Sequence, residues 1–130
     1  MGVDLIMTKE QAIHQFWSSF GLTAYDENTV PDDATLPYVT YSVAIGNYDS
    51  SVTMPASLWY RSQSWKDITE KANEIENYIG LGGKIVKHDN GILWIKRAST
   101  FSQRMSAGST EEDKNSSIRR IVLNIVVDYL

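Results

Sequence analysis

Ile118-Arg119-Arg120-Ile121-Val122-Leu123-Asn124-Ile125-Val126-Val127-Asp128-Tyr129-Leu130 alternates almost without fault. Ile121, Leu123, Ile125, Val127 and Tyr129 share one side, and Arg120, Asn124 and Asp128 share the other with Val122 and Val126. A period of two with one wholly apolar side is the pattern of a half-buried β-strand. A strand this long and apolar invites aggregation at an unprotected edge. Its expected place is inside a sheet or against a neighbouring subunit.

Upstream of it, residues 98–117 are the most polar stretch and read as a long loop, either functional or mobile. Before that, Lys84–His88 and Ile92–Arg97 flank Asp89-Asn90-Gly91, a strong signal for a tight hairpin because both central residues must accept positive φ. Ile68, Ala72, Ile75 and Ile79 recur at helical spacing and predict a helix beginning at Ser64, with Asp67 at the capping-box position. Asp67 also stands four residues before Lys71, the favourable order for a surface ion pair. Gly80-Leu81-Gly82-Gly83 stops that helix.

Nearer the N-terminus, Pro37 leads into an alternating strand, Tyr38 to Ala44. Ala56 to Arg61 is its antiparallel partner, with Leu58 and Tyr60 on one side and Trp59 on the other, and a long polar tip between the two. Thr23 to Pro37 carries Asp26, Glu27, Asp32 and Asp33 with little periodicity and reads as an acidic loop. Thr8 and Gln11 have capping-box spacing ahead of a helix whose apolar side is Ile13, Phe16, Trp17 and Phe20, with Gly21 as its stop. The expected fold is a single α+β domain over 1–130: two helices on one face of a mostly antiparallel sheet of about five strands, with an extended hairpin and a long loop.

Composition agrees and narrows the function classes. The chain has 130 residues, 42% hydrophobic and 22% charged, enough for one core. Sixteen acidic residues against twelve basic ones give a formal charge of −4, a poor basis for binding nucleic acid by neutralising phosphates. The absence of cysteine excludes disulfides, thiolate catalysis and cysteine zinc sites. No run approaches the ~18 apolar residues of a membrane span. The start, Met1-Gly2-Val3-Asp4-Leu5-Ile6-Met7, has neither a secretory pattern nor Ser or Thr at position 6 for myristoylation, so a soluble cytoplasmic domain is expected.

Catalytic patterns are sparse. Gly80-Leu81-Gly82-Gly83-Lys84 superficially resembles a phosphate loop, but Tyr78 stands where the first glycine belongs and Ile85 follows the lysine. His14 and His88 have no acidic residue at metal-ligand spacing, and no Gly-x-Ser-x-Gly elbow exists. The carboxylates of the 26–33 stretch and of Glu111, Glu112 and Asp113 cluster in polar loops, where nothing shifts a pKa towards acid–base work. No catalytic residue, cofactor or metal is expected. Trp59, Trp65 and Trp94 with Tyr38, Tyr41, Tyr48 and Tyr60 suit a stacking surface for single strands, but core packing against the helices accounts for most of them, and the acidic charge agrees.

Several segments, taken in order, carry a resemblance. They are Leu36-Pro37-Tyr38-Val39-Thr40-Tyr41, Ser64-Trp65-Lys66-Asp67, Gly91-Ile92-Leu93-Trp94-Ile95-Lys96-Arg97, Phe101-Ser102-Gln103-Arg104-Met105, the acidic Glu111-Glu112-Asp113, and Ile118 to Ile125. Together, over residues 8–130, the chain resembles the tail terminator (tail completion) proteins of long-tailed phages and prophages of Gram-positive bacteria. Thr100 stands where that pattern has proline, and Ser106 to Thr110 loosen its acidic part.

The resemblance implies a homohexameric ring seated on the last ring of tail-tube protein. There it ends tube polymerisation and offers a surface to the head–tail connector, at the head-proximal end of the virion tail after assembly in the host cytoplasm. The chemistry implied is association, with DNA only as passing cargo and no membrane. Six copies would total about −24, suited to a conduit that repels DNA rather than holding it. The alternative is a head-completion or connector protein at the same junction; a small enzyme with a pocket under the sheet is a third reading, without residues to support it. Phe101, Gln103, Arg104 and Met105 are the expected contacts to a neighbouring subunit, with Arg104 pairing a carboxylate across the interface and Arg119 and Arg120 either doing the same job or merely shielding the final strand. The tip, Gly46, Asn47, Tyr48, Asp49, Ser50, Ser51, Val52, Thr53 and Met54, is the expected contact to tube or connector.

Overall fold

The computed structural model describes residues 7–46, 50–89, 91–105 and 118–130. Thr8 starts the first helix, α1 (Lys9–Ser18): its hydroxyl accepts from the Gln11 amide at 3.1 Å while the Gln11 side chain accepts from the Thr8 amide at 2.9 Å. This is the expected capping box. Three strands follow, β1 (Thr23–Asp26), β2 (Tyr38–Tyr41) and β3 (Ser50–Arg61), then α2 (Lys66–Ile79), β4 (Lys84–His88), β5 (Gly91–Met105) and β6 (Ile118–Tyr129).

The six strands form one sheet in the order β1-β2-β3-β6-β5-β4, antiparallel throughout except for the β1–β2 pair. The fold is α+β. β6 lies inside the sheet, paired along its whole length with β3 and over most of it with β5, which removes the edge hazard its sequence carries. Ile121, Leu123, Ile125, Val127 and Tyr129 are buried, joined by Met54, Ala56 and Leu58 of β3 and Leu93 and Ile95 of β5. The helices close this face with Ala12, Ile13, Phe16 and Trp17 from α1 and Ile68, Ala72, Ile75 and Ile79 from α2. Each fully buried Val, Leu, Ile, Met or Phe side chain among them contributes roughly 1.5–3 kcal/mol by leaving water.

Four expectations require correction. Thr23–Asp26 is a strand, not part of a loop; four residues are too few to show periodicity, but Ala24 is buried and the Tyr25 ring meets Tyr38 edge-on at 5.5 Å. The second hairpin strand begins at Ser50, because Val52 and Met54 alternate inward between Ser51 and Thr53. The polar stretch after Arg97 continues as strand to Met105. Pairing passes from Arg97↔Ile125 to Ser102↔Leu123, so residues 98–101 bulge opposite Asn124, whose side-chain amide donates to the Thr100 carbonyl at 3.1 Å. Lastly, α2 begins at Lys66 with Trp65 at its N-cap and no side-chain cap. Ser64 Oγ instead accepts from the Lys66 amide, and Lys71 pairs with Glu74 at 3.0 Å and donates to the Phe20 carbonyl at 2.7 Å rather than reaching Asp67.

Candidate assembly surface

The residues singled out for subunit contact arise on two strands that the bulge brings side by side. Gln103↔Val122, Arg104↔Ile121 and Met105↔Arg120 are register partners, so five of the six residues lie at one end of the β5–β6 ladder. Phe101 is buried, drawn into the core by the bulge; its ring is a packing group rather than a contact surface. Gln103 and Arg104 are exposed and Met105 is 38% exposed.

Trp65, which sequence reading placed at the opening of the second helix without a role at the surface, organises this end. The Arg104 guanidinium lies 4.8 Å from its ring centroid and that of Arg119 lies 5.3 Å away. Such contacts hold a cation over the ring's negative face. Arg119 also donates from Nε to the Ser62 carbonyl at 3.2 Å and from Nη2 to the Gln63 carbonyl at 3.0 Å, tying the turn before α2 to β6. Arg120 points to the opposite face, 4.8 Å from the Trp59 centroid and 3.1 Å from Ser57 Oγ. Arg119 and Arg120 therefore serve different faces.

The sheet face away from the helices is paved by aromatic rings under cations. Trp59 donates to Thr40 Oγ1 at 3.0 Å beneath Arg120, and Trp94 donates to the Gly82 carbonyl at 2.8 Å with Lys96 4.4 Å from its centroid. Core packing against the helices therefore holds for Tyr41, Tyr60 and Trp65 and fails for Tyr38, Trp59 and Trp94, which lie on this outer face, Tyr38 opposite Trp59 and Trp94 opposite Asp128. Lys96 joins Asp128 at 2.7 Å, and Asp128 also accepts from Ser51 Oγ. Those two hydrogen bonds hold the Asp128 carboxyl below the usual carboxylate range. The spacing of 51, 96 and 128 gives no sequence signal; only the register of three strands brings them together.

The tip assigned to tube or connector contact divides. Ser51 and Thr53 are exposed on β3, Ser50 and Val52 are half-buried, and Met54 is 1% exposed and belongs to the core. Gly46 packs where a Cβ would meet Ser50 and Val52. Asn47, Tyr48 and Asp49 lie outside the described residues, as do Tyr48's expected packing and the acidic Glu111, Glu112 and Asp113.

His14 sits at 2.8 Å from the Tyr41 hydroxyl and 3.2 Å from Ser18 Oγ, and His88 at 3.4 Å from Asp89. Among the described residues no three His, Asp or Glu side chains gather as a metal-binding set. A cleft of about 630 Å³ beside the β5 bulge is lined in part by Arg97 and Glu76, which form an ion pair at 3.1 Å. No described helix is long and apolar enough to cross a membrane. Compared with protein-family models, curated proteins and solved structures, the chain finds no match.

Proposed function

We propose that this chain is an assembly subunit of the tail-terminator kind: copies of it form a ring that caps a phage tail tube, ends tube polymerisation and presents a surface for head joining. One observation carries the reading. Three of the segments that resemble that family, Ser64–Asp67, Phe101–Met105 and Ile118–Ile125, are far apart in the chain yet meet at Trp65, where Arg104 and Arg119 stack. Surface residues that converge from separate segments without enclosing a reactive group suit recognition of another protein. Tail-tube protein and head–tail connector are the further partners this reading assigns, at the head-proximal end of the tail.

The test is tail length in lysates of the parent phage with and without the gene, by negative-stain microscopy. Overlong, headless tubes in the deletion support the terminator role. Tails of normal length that fail to join heads would replace it with the connector role, and intact infectious particles would overturn both.

A further inference from the structure

Three stretches of the sheet have no described strand on one side: β4, β1 and the part of β5 beyond β4, of which the last two differ in charge. β4 covers β5 only from Gly91 to Ile95, so from Lys96 to Met105 no described strand lies against the outer side of β5. Beyond the bulge, Ser102–Met105 is a regularly paired stretch whose residues are all exposed. At the far end of the sheet, β1 has β2 on one side and no described strand on the other. β1 is four residues long, and so is Ser102–Met105. Neither stretch contains proline, which would block pairing. A bare edge of unpaired amides and carbonyls is a template for another strand.

Their charges are opposite. Residues 21–37 hold Asp26, Glu27, Asp32 and Asp33 and no Lys or Arg; residues 91–105 hold Lys96, Arg97 and Arg104 and no carboxylate. Asp128 and Glu76 engage Lys96 and Arg97, whereas Arg104 stands at the edge over Trp65 with no ion pair to a described carboxylate.

We infer that the occupant of each edge is a second copy of this chain: the β1 edge of one copy, with Asp26 and Glu27, adds to the Ser102–Met105 edge of the next, with Arg104. This rests on the self-assembling half of the reading above and not on the phage tail. β1 runs parallel to β2 and β6, and β5 runs antiparallel to β6, so copies with their helix faces on the same side pair these edges antiparallel. Because the two edges differ, the contact is heterologous and repeats from copy to copy until it closes. Complementary charge then selects β1 against β5 and opposes β5 against β5.

The test uses two variants of the purified chain in sedimentation velocity over a concentration series. Asp26→Asn with Glu27→Lys makes the β1 edge basic, the asparagine keeping the oxygen that accepts from the Asn28 amide. Gln103→Glu with Arg104→Glu makes the β5 edge acidic. Each variant alone is expected to self-associate at least about tenfold more weakly than wild type, while an equimolar mixture recovers wild-type assembly because each supplies the edge the other needs. Wild-type assembly by either variant alone, no recovery on mixing, or a wild-type chain monomeric throughout would overturn the inference.

Disulfide trapping covers the case in which a charge variant misfolds. The chain has no cysteine, so a mixture of Tyr25→Cys and Gln103→Cys chains is expected to form the mixed dimer on oxidation. Cross-linking of Gln103→Cys to itself alone, or of neither, would overturn the inference. Failure here beside overlong tails in the gene deletion would leave the terminator role standing with a different interface; edge pairing beside normal tails would do the reverse.

Discussion

Arg104 and Arg119 both lie against the Trp65 ring, at 4.8 and 5.3 Å from its centroid, although one belongs to β5 and the other to β6. The ring therefore fastens the start of α2 to the end of the sheet where the bare β5 edge begins. Trp65→Ala removes an aromatic group packed against the core and releases both guanidinium groups. The expected loss is about 2 kcal/mol, below the range for a fully buried tryptophan because Trp65 is only half-buried. Urea denaturation measures it, with Trp65→Phe expected to keep more than half of the difference; equal losses would mean that the ring face contributes nothing.

Asp128 offers a test in acid. Its folded carboxyl titrates below its ordinary value because Lys96 and Ser51 hydrogen-bond to the charged form. A depressed pKa contributes stability that is present above the unfolded value near 3.8 and is lost as pH falls through the folded value. Asp128→Asn is expected to cost about 0.5 kcal/mol at pH 7, as partly exposed ion pairs do, and to flatten the stability decline below pH 4. Thermal melts of both proteins from pH 2 to 7 check this; parallel curves would remove Asp128 from the acid response.

Much of this architecture is legible in the sequence because the signals are periodic. The alternation of Ile121 to Tyr129, the stripe Ile68-Ala72-Ile75-Ile79 and the Thr8–Gln11 box each specify an element from local residues alone. What stays hidden depends on partners. Ser102–Met105 is polar because it lies at an exposed sheet end, so its composition reads as loop until the unpaired side of β6 supplies a ladder. Thr23–Asp26 is too short to alternate and becomes a strand through β2. The candidate surface was half visible: Arg104, Arg119 and Trp65 all stand in segments that carry the resemblance, but that both guanidinium groups share the Trp65 ring follows only from the fold.

Gly83 has a backbone role that an added methyl group reveals. Its φ is +78°, and a Cβ there would stand 2.6 Å from the Ile95 carbonyl oxygen and 2.7 Å from Trp94 Nε1. Gly83→Ala is therefore expected to destabilise the chain by more than about 1 kcal/mol, through backbone strain and displacement of the Trp94 ring. Gly82→Ala meets nothing within 4 Å and is expected to stay within about 0.5 kcal/mol of wild type. Equal effects in chemical denaturation would refute the close-approach argument.

Tyr129 ties the end of β6 to the segment after β2: its hydroxyl donates to the Ala44 carbonyl at 2.6 Å. Burial, reinforced by the charge of Glu10, pushes the phenol up to about 12. A raised pKa contributes stability that is whole below the unfolded value near 10 and disappears as pH climbs from 10 towards 12. Tyr129→Phe keeps the ring in the core and removes only the hydroxyl. Because Ala44 is exposed and water can replace the lost donor, the cost at pH 7 is expected to be about 0.5–1 kcal/mol. Burial raises Tyr41 and Tyr60 as well, so the wild-type curve alone cannot isolate one phenol. The informative quantity is the stability difference between wild type and Tyr129→Phe: it should hold constant from pH 7 to 9 and then narrow, or reverse sign, above pH 10. A difference that stays constant to pH 12 would mean that the Tyr129 hydroxyl ionises as readily in the folded chain as in the unfolded one.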